Sequence, residues 1–284
     1  GFAESSANKD RIRFLSIISN SEKLNNNLDL LEEFKFIESD SNFPHFKYIS
    51  LGKVITYLKI QNSVLSEDHI FDIYSATNWV NSFINFLGNN EYITPNIDQL
   101  IISLKKNVLI KKRIDKVFTP KRYIRSNASE SLLKIRDNIS KKRVLVDKYF
   151  KDSKIHYMQL GYLADIKESF ADGISLLAVS SEFKRKIKGR VRTQSKTKSI
   201  SFIEPDKCIS LNREISHLIE DEKEEIRKIL RLLSDDLRGH FDRINLTLHL
   251  FEELDFLNAK LKLSKLMFAN KPKVSNSRKI EIKD

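Results

Sequence analysis

Only seven Gly and five Pro occur in the 284 residues of this chain. Glycine supplies the left-handed backbone of tight turns, and proline presets φ where turns open. A chain this poor in both can make few close reversals. Long helices need the fewest, so the sequence predicts a mainly α fold. Apolar residues make up 40% and charged residues 31%, which is enough to build a core and too apolar for wholesale disorder. The length allows one large domain or two modest ones.

Hydrophobic spacing places the helices. From Asp10 to Lys121 apolar residues recur at helical steps. The clearest helix there has Ser66 as N-cap, Glu67 and Asp68 in its first turn, and Gly88 as its stop. Pro95 opens the next helix, which is predicted to run through Phe118, and the segment around Pro44 reads as a loop. Asn127 and Glu130 predict a capping box for a long helix from Ser129 to about Asp152. Its stripe is Leu132, Ile135, Ile139, Val146 and Tyr149, with Lys142 where another apolar member would fall. A second long helix runs from Asp206 to about Leu237, with Leu211, Ile215, Leu218, Ile226, Ile229, Leu233 and Leu237 on its stripe and Glu222 breaking it. Two such seams predict paired antiparallel helices. Setting Lys142 against Glu222 places Ile135 beside Ile229 and Val146 beside Leu218.

Between these helices the chain changes character. Asp172-Gly173 predicts a turn into the apolar strand "ISLLAV", and "SISFI" alternates as a second strand. A last helix covers Leu246 to Phe268, and "KIEI", Lys279 to Ile282, reads as a terminal strand. The organisation predicted is a helical core over residues 1–128, an outgoing helix over 129–153, a small β-rich unit over 154–205, a returning helix over 206–238, and re-entry into the core over 239–284.

The net charge of +12 favours a polyanionic partner. The charge is concentrated between Lys184 and Lys198, where Lys184, Arg185, Lys186, Lys188, Arg190, Arg192, Lys196 and Lys198 occur with no acid among them. These eight are the candidate nucleic-acid contacts. The bland alternative is an edge strand protected from aggregation by lysines. A second basic stretch, Lys105 to Arg125, reads as a solvated face.

Several chemistries find no support. Neither G-x-x-x-x-G-K-[ST] nor G-x-G-x-x-G occurs, so no phosphate-cradling loop and no nucleotide binding are expected. One Cys and six scattered His give no metal-ligand spacing. Ser-x-x-Lys occurs at Ser181/Lys184 and Ser195/Lys198 without neighbours that would form an oxyanion hole. The acidic run Glu220 to Ile226 reads as a solvated helix face. No catalytic, cofactor-binding or metal-binding residue is assigned, and no enzymatic activity is expected within this sequence. Cys208 as the sole cysteine fits a reducing cytoplasm. No apolar run reaches membrane-spanning length, so no membrane partner is expected. The start "GFAESSANKD" has no initiator Met and no signal-peptide layout, and reads as a piece of a longer protein.

One ordered set of motifs goes further. Gln194, Ser195, Phe202, Ile203, Glu204 and Pro205 are followed by Leu211-Asn212, then by Glu220, Glu222, Glu225, Ile226, Ile229 and Leu230. "VLSEDHI" and "SESLLKIR" precede them and "ELDFLNAK" follows. In order and spacing this resembles the MutS family of DNA mismatch-repair ATPases, and most closely its second, recombination-suppressing bacterial branch. Two positions depart from the family pattern: Lys198 stands at a usual glycine, and Arg192-Thr193 stand at a usual His-Asp. The resemblance implies a helical core, two antiparallel lever helices and a small β clamp. It implies clamping of double-stranded or branched DNA without sequence preference. It also implies coupling to an ATPase domain, using ATP and magnesium, that lies outside this sequence. The longer protein would be a homodimer, and this part of it alone a monomer. Two readings from other classes are a helical protein-binding scaffold and an RNA- or ribosome-binding arm.

Overall fold

The computed structural model describes residues 1–90, 92–104 and 108–274. These form nine α-helices and one four-stranded antiparallel sheet, so the mainly α expectation holds. The chain divides into two compact units. One comprises Gly1–Arg122 together with the chain from Leu230 onward, and the other comprises Tyr123–Ile229. The predicted strand at Lys279 to Ile282, and Lys105 and Lys106 of the second basic stretch, lie outside the described residues.

The first unit is wholly helical among its described residues. It contains α1 (Ser6–Arg13), α2 (Ser21–Glu38), α3 (Gly52–Lys59), α4 (Glu67–Asn89), α5 (Pro95–Ile101) and α6 (Val108–Val117). The end of one later helix, from Leu230, and the whole of the last helix complete it. A helix that is apolar on most sides must be buried on most sides. The helix Phe241–Leu266 is such a case, burying Leu250, Phe251, Leu254, Phe256, Leu257 and Leu261 and packing against α1, α2, α3 and α4. Asp255, also buried there, accepts from the backbone N–H groups of Glu4 (2.9 Å) and Ser5 (3.0 Å) and from Asn8 Nδ2 (2.9 Å). A buried carboxylate thus finds partners in the otherwise unpaired donors at the start of α1. On α4, Trp79 stacks on Phe83 with ring centres 5.0 Å apart, and its indole N–H donates to the carbonyl of His45 at 3.1 Å. That bond pins the predicted loop around Pro44.

Ser66 caps α4 as expected, accepting from His69 N–H, but the helix continues through Gly88 to Asn89. Pro95 does open a helix, yet the long helix predicted from it is two, α5 ending at Ile101 and α6 starting at Val108. In the second basic stretch, Lys111 pairs with Asp115 at 2.8 Å and Arg122 lies over the Phe71 ring. Lys112, Lys116 and Lys121 are exposed.

The second unit is built on α7 (Glu130–Gln159), a sheet, and the first part of α8 (Asp206–Arg238), which begins where β4 ends. The N-cap of α7 is Ser129, whose hydroxyl oxygen accepts from Leu132 N–H; Asn127 lies in a short 3-10 turn and caps nothing. The helix also runs seven residues past the expected Asp152. No glycine or proline interrupts "KDSKIHYMQ", and Tyr157 at its end is buried in the core. The chain turns only at Gly161, which takes φ +71°.

The sheet comprises β1 (Leu163–Ala171), β2 (Ile174–Ser180), β3 (Gly189–Gln194) and β4 (Ile200–Pro205) in the order β1-β2-β4-β3. The two strands foreseen from apolar pattern are the central pair, in register Leu177↔Ile203. The two missed are the edges. Both carry mostly exposed residues, so neither shows the alternation that marks a half-buried strand. Leu177, Val179 and Ile203 join Phe150, Tyr157, Ile187 and Cys208 in one core.

α7 and α8 are antiparallel, as their seams predicted, but the register is different. Lys142 pairs with Glu214, eight residues short of Glu222, while Glu222 takes Arg136 at 2.7 Å. Ser129 donates to Glu225 at 2.7 Å, and Cys208 Sγ lies 3.8 Å from the Val146 carbonyl. The two seam breaks therefore do not meet. The four contacts fit a single register, in which Lys142 and Glu222 each face another partner while Ile139 and Ile215 are buried.

Burial pushes the Cys208 thiol up to about 11, with Glu204 and Asp147 adding to the shift. The thiol is therefore the expected laggard toward alkylating reagents at pH 8, since only the thiolate attacks. Native chain should stay unlabelled while chain unfolded in urea reacts within minutes. Rapid labelling of the native chain would show that the core around Cys208 opens. The folded chain holds this proton above the ordinary 9.0, so the associated stability is intact below pH 9 and is lost as pH rises toward about 11.

Candidate nucleic-acid interface

The basic segment occupies three adjoining places at one side of the sheet. Lys184, Arg185 and Lys186 follow a 3-10 turn, Ser181–Phe183, that leaves β2. Lys188, Arg190 and Arg192 run into and along the edge strand β3. Lys196 and Lys198 sit in the turn from β3 to β4. Hydrogen bonds hold the first and third together: Ser181 N–H donates to the Ser199 carbonyl (2.9 Å), and Ser181 Oγ donates to the Lys198 carbonyl (2.6 Å).

β3 can lie this close to β4 only because it begins with glycine. A Cβ on Gly189 would fall 2.3 Å from the Glu204 carbonyl oxygen and 2.8 Å from Ile203 Cγ2, well inside any real contact. The pairing then slips by one residue between Val191 and Thr193, a bulge that leaves Arg192 as the extra residue. Lys198, at the position where the resembled family has glycine, adopts φ +59°. The turn keeps the left-handed backbone that glycine favours, and a lysine bears a strain of about 1–2 kcal/mol to hold it. Lys198 N–H donates to the Ser195 carbonyl (2.9 Å), and Ile200 N–H donates to Ser195 Oγ (3.1 Å).

All eight predicted cations are exposed, but they are not equivalent. Lys184, Arg185, Lys188, Arg190, Lys196 and Lys198 make no side-chain ion pair or hydrogen bond among the described residues. Lys186 lies against the rings of Tyr162 and Phe183. Arg192 is committed inward. Its Nε donates to Glu204 Oε2 at 2.8 Å, and a second guanidinium nitrogen stands 2.5 Å from the same oxygen. Glu204 has no exposed surface and also accepts from Asn212 Nδ2 of α8 at 2.7 Å. One of the eight is therefore a structural residue that neutralises a buried carboxylate. Gly189, Glu204 and Asn212, which fix this geometry, carried no assigned role in the sequence reading. The usable signal was a lone acid ending an apolar strand, since such an acid needs a cation.

Among the described residues no group of three or more His, Cys, Asp or Glu side chains could hold a metal ion, and no helix is long and apolar enough to cross a membrane. What fold and surface define is a mainly helical chain with one small antiparallel sheet, whose outer strand and adjoining turns present six uncommitted cations.

No family profile matches the chain. Individual proteins do. It is 28% identical over 216 residues to Endonuclease MutS2 of Lactobacillus helveticus, covering 75% of this chain and 27% of that protein. It is 26% identical to Endonuclease MutS2 of Caldicellulosiruptor saccharolyticus, covering 99% of this chain and 36% of the relative. With Endonuclease MutS2 of Aquifex aeolicus it shares 22% identity over 95% of its length, which is 35% of the relative. These similarities support a MutS2-related family. The chain spans about a third of the length of these curated relatives.

Proposed function

We propose that this chain is the DNA-gripping part of a MutS-like protein, in which the sheet acts as a clamp on the DNA backbone and α7 and α8 act as the levers that carry it. The single observation behind this is the set of six unpaired cations on β3 and its adjoining turns. Cations that already serve acids of their own chain have little to offer a phosphate; these have no such acid among the described residues. Contacts to phosphate carry no base information, so the grip is indifferent to sequence and fits duplex or branched DNA.

The name of the relatives, Endonuclease MutS2, supports a DNA-related role. ATP hydrolysis, with magnesium, belongs in this proposal to a domain outside the present sequence, as does any nuclease chemistry. The helix pair would pass the state of the clamp toward that domain. The longer protein would act as a homodimer in the cytoplasm, with this part alone monomeric.

Fluorescence anisotropy on a blunt duplex at stepped salt tests the reading. Weak, sequence-indifferent binding that falls steeply with salt is expected, because each phosphate contact releases counterions. Binding that is absent at low salt would leave a protein-binding helical scaffold as the better reading. Preference for structured RNA over duplex DNA would favour an RNA- or ribosome-binding arm.

A further inference from the structure

The turn from β3 to β4 reads Ser-Lys-Thr-Lys-Ser, Ser195 to Ser199, with hydroxyls and ammoniums alternating. In an extended strand, residues two apart are separated by about 6.7 Å, at about 3.3 Å per residue. Here the left-handed backbone of Lys198 bends the chain, and three hydroxyls fall into a row. Thr197 Oγ1 lies 2.8 Å from Ser199 Oγ and 3.4 Å from Ser195 Oγ. Thr197 and Ser199 are exposed.

The row has one proton too many. Three O–H groups share two contacts, so in either direction one hydroxyl proton is left without an acceptor among the described residues. No carboxylate takes it: the turn contains no acid, and Glu182, beside Ser181, bonds to none of the three. Nor does the turn need the outer two hydroxyls for its shape. Ser195 N–H donates to the Ile200 carbonyl (2.9 Å), Lys198 N–H donates to the Ser195 carbonyl (2.9 Å), and Ser181 fastens the carbonyls of Lys198 and Ser199. Only the Ser195 hydroxyl takes part, accepting from Ile200 N–H. The hydroxyls of Thr197 and Ser199 have no partner among the described residues outside their own row.

We propose that Thr197 and Ser199 form, with Lys196 and Lys198, a site for one backbone phosphate of DNA. The row donates its unused proton to a phosphate oxygen, and the two ammoniums supply the charge. A lysine attracts phosphate as a point charge, whereas an O–H donates along one direction. The row therefore fixes where the backbone lies on the turn. This deepens the DNA-binding reading, rests on it, and adds an uncharged contact to it.

Charged and uncharged contacts leave different marks on a salt titration. Only a cation paired with phosphate releases counterions, so only cations contribute to the slope of log affinity against log salt. Thr197→Val with Ser199→Ala removes both hydroxyls and no charge. On a blunt duplex it is expected to weaken binding about tenfold at every salt concentration, with the slope of the unaltered chain. Thr197→Ser with Ser199→Thr keeps both hydroxyls and is expected to bind as the unaltered chain does; an equal loss there would overturn the site. Unchanged affinity in the first variant would overturn it as well, and leave duplex binding by the cations intact. A flattened slope would also sink it, since the hydroxyls would then act only by placing the lysines. Absence of duplex binding by the unaltered chain would overturn the wider reading too. Should the first variant fail to fold, the unaltered chain decides. Its Thr197 methyl resonance is expected to shift at duplex saturation, and one that stays in place rules the site out.

Discussion

Replacing Lys188, Arg190, Lys196 and Lys198 with Ala is expected to at least halve the salt dependence of duplex binding. With about four phosphates contacted, log affinity should fall against log salt with a slope near −3.6, at about −0.9 per contact. Between about 50 and 200 mM salt that amounts to roughly a hundredfold in affinity. The quadruple variant should bind more weakly at low salt and keep a slope no steeper than about −1.8, from Lys184 and Arg185 at about −0.9 each. None of the four side chains has an ion pair or hydrogen bond to lose among the described residues, so the fold should hold, as exposed substitutions usually allow. The matched control removes the same charge from the helical unit: Lys53, Lys112, Lys116 and Lys121, all exposed. If the control flattens the slope as much, binding reflects general basicity and the clamp assignment fails.

Arg192→Ala should behave differently from any of these. It removes two contacts from a carboxylate with no exposed surface and leaves Glu204 only Asn212. Breaking one side of a buried pair costs about 3–5 kcal/mol, because the remaining charge stays desolvated. The Arg192 side chain is 37% exposed, so water can take part of its place and about 2–3 kcal/mol is the better expectation. Urea unfolding should show a lower midpoint, with the loss borne by the sheet-bearing unit. Removing both partners, Arg192→Leu with Glu204→Leu, should recover much of the loss, since no unpaired charge then remains. A loss below about 0.5 kcal/mol for the single variant would mean that Glu204 is hydrated in solution and that Arg192 is as free as its neighbours.

Much of this chain was legible before any coordinate. The helical faces, the Ser66 cap and the two central strands follow from spacing alone, because helix and strand periodicities are properties of consecutive residues. The cluster of cations from Lys184 to Lys198 was visible for the same reason. Where two local signals competed, the nearer was misjudged: Asn127 fits a capping box with Glu130, yet Ser129 is the residue whose oxygen reaches a free N–H, at Leu132.

What tertiary structure alone decided involves partners distant in sequence. The α7–α8 register depends on which acid each cation reaches, and Lys142 could satisfy itself at Glu214 or Glu222 without changing either helix's pattern. The edge strands β1 and β3 exist because β2 and β4 offer them hydrogen-bonding edges, which leave no periodic trace on strands exposed to water. Whether a lysine or arginine in the basic run faces outward also lies beyond composition. Arg190 and Arg192 are two residues apart in one short strand, and only the bulge and the buried carboxylate of Glu204 make the first a free cation and the second a structural one. Sequence determines which groups are charged, while the burial of their neighbours determines which of those charges remain available.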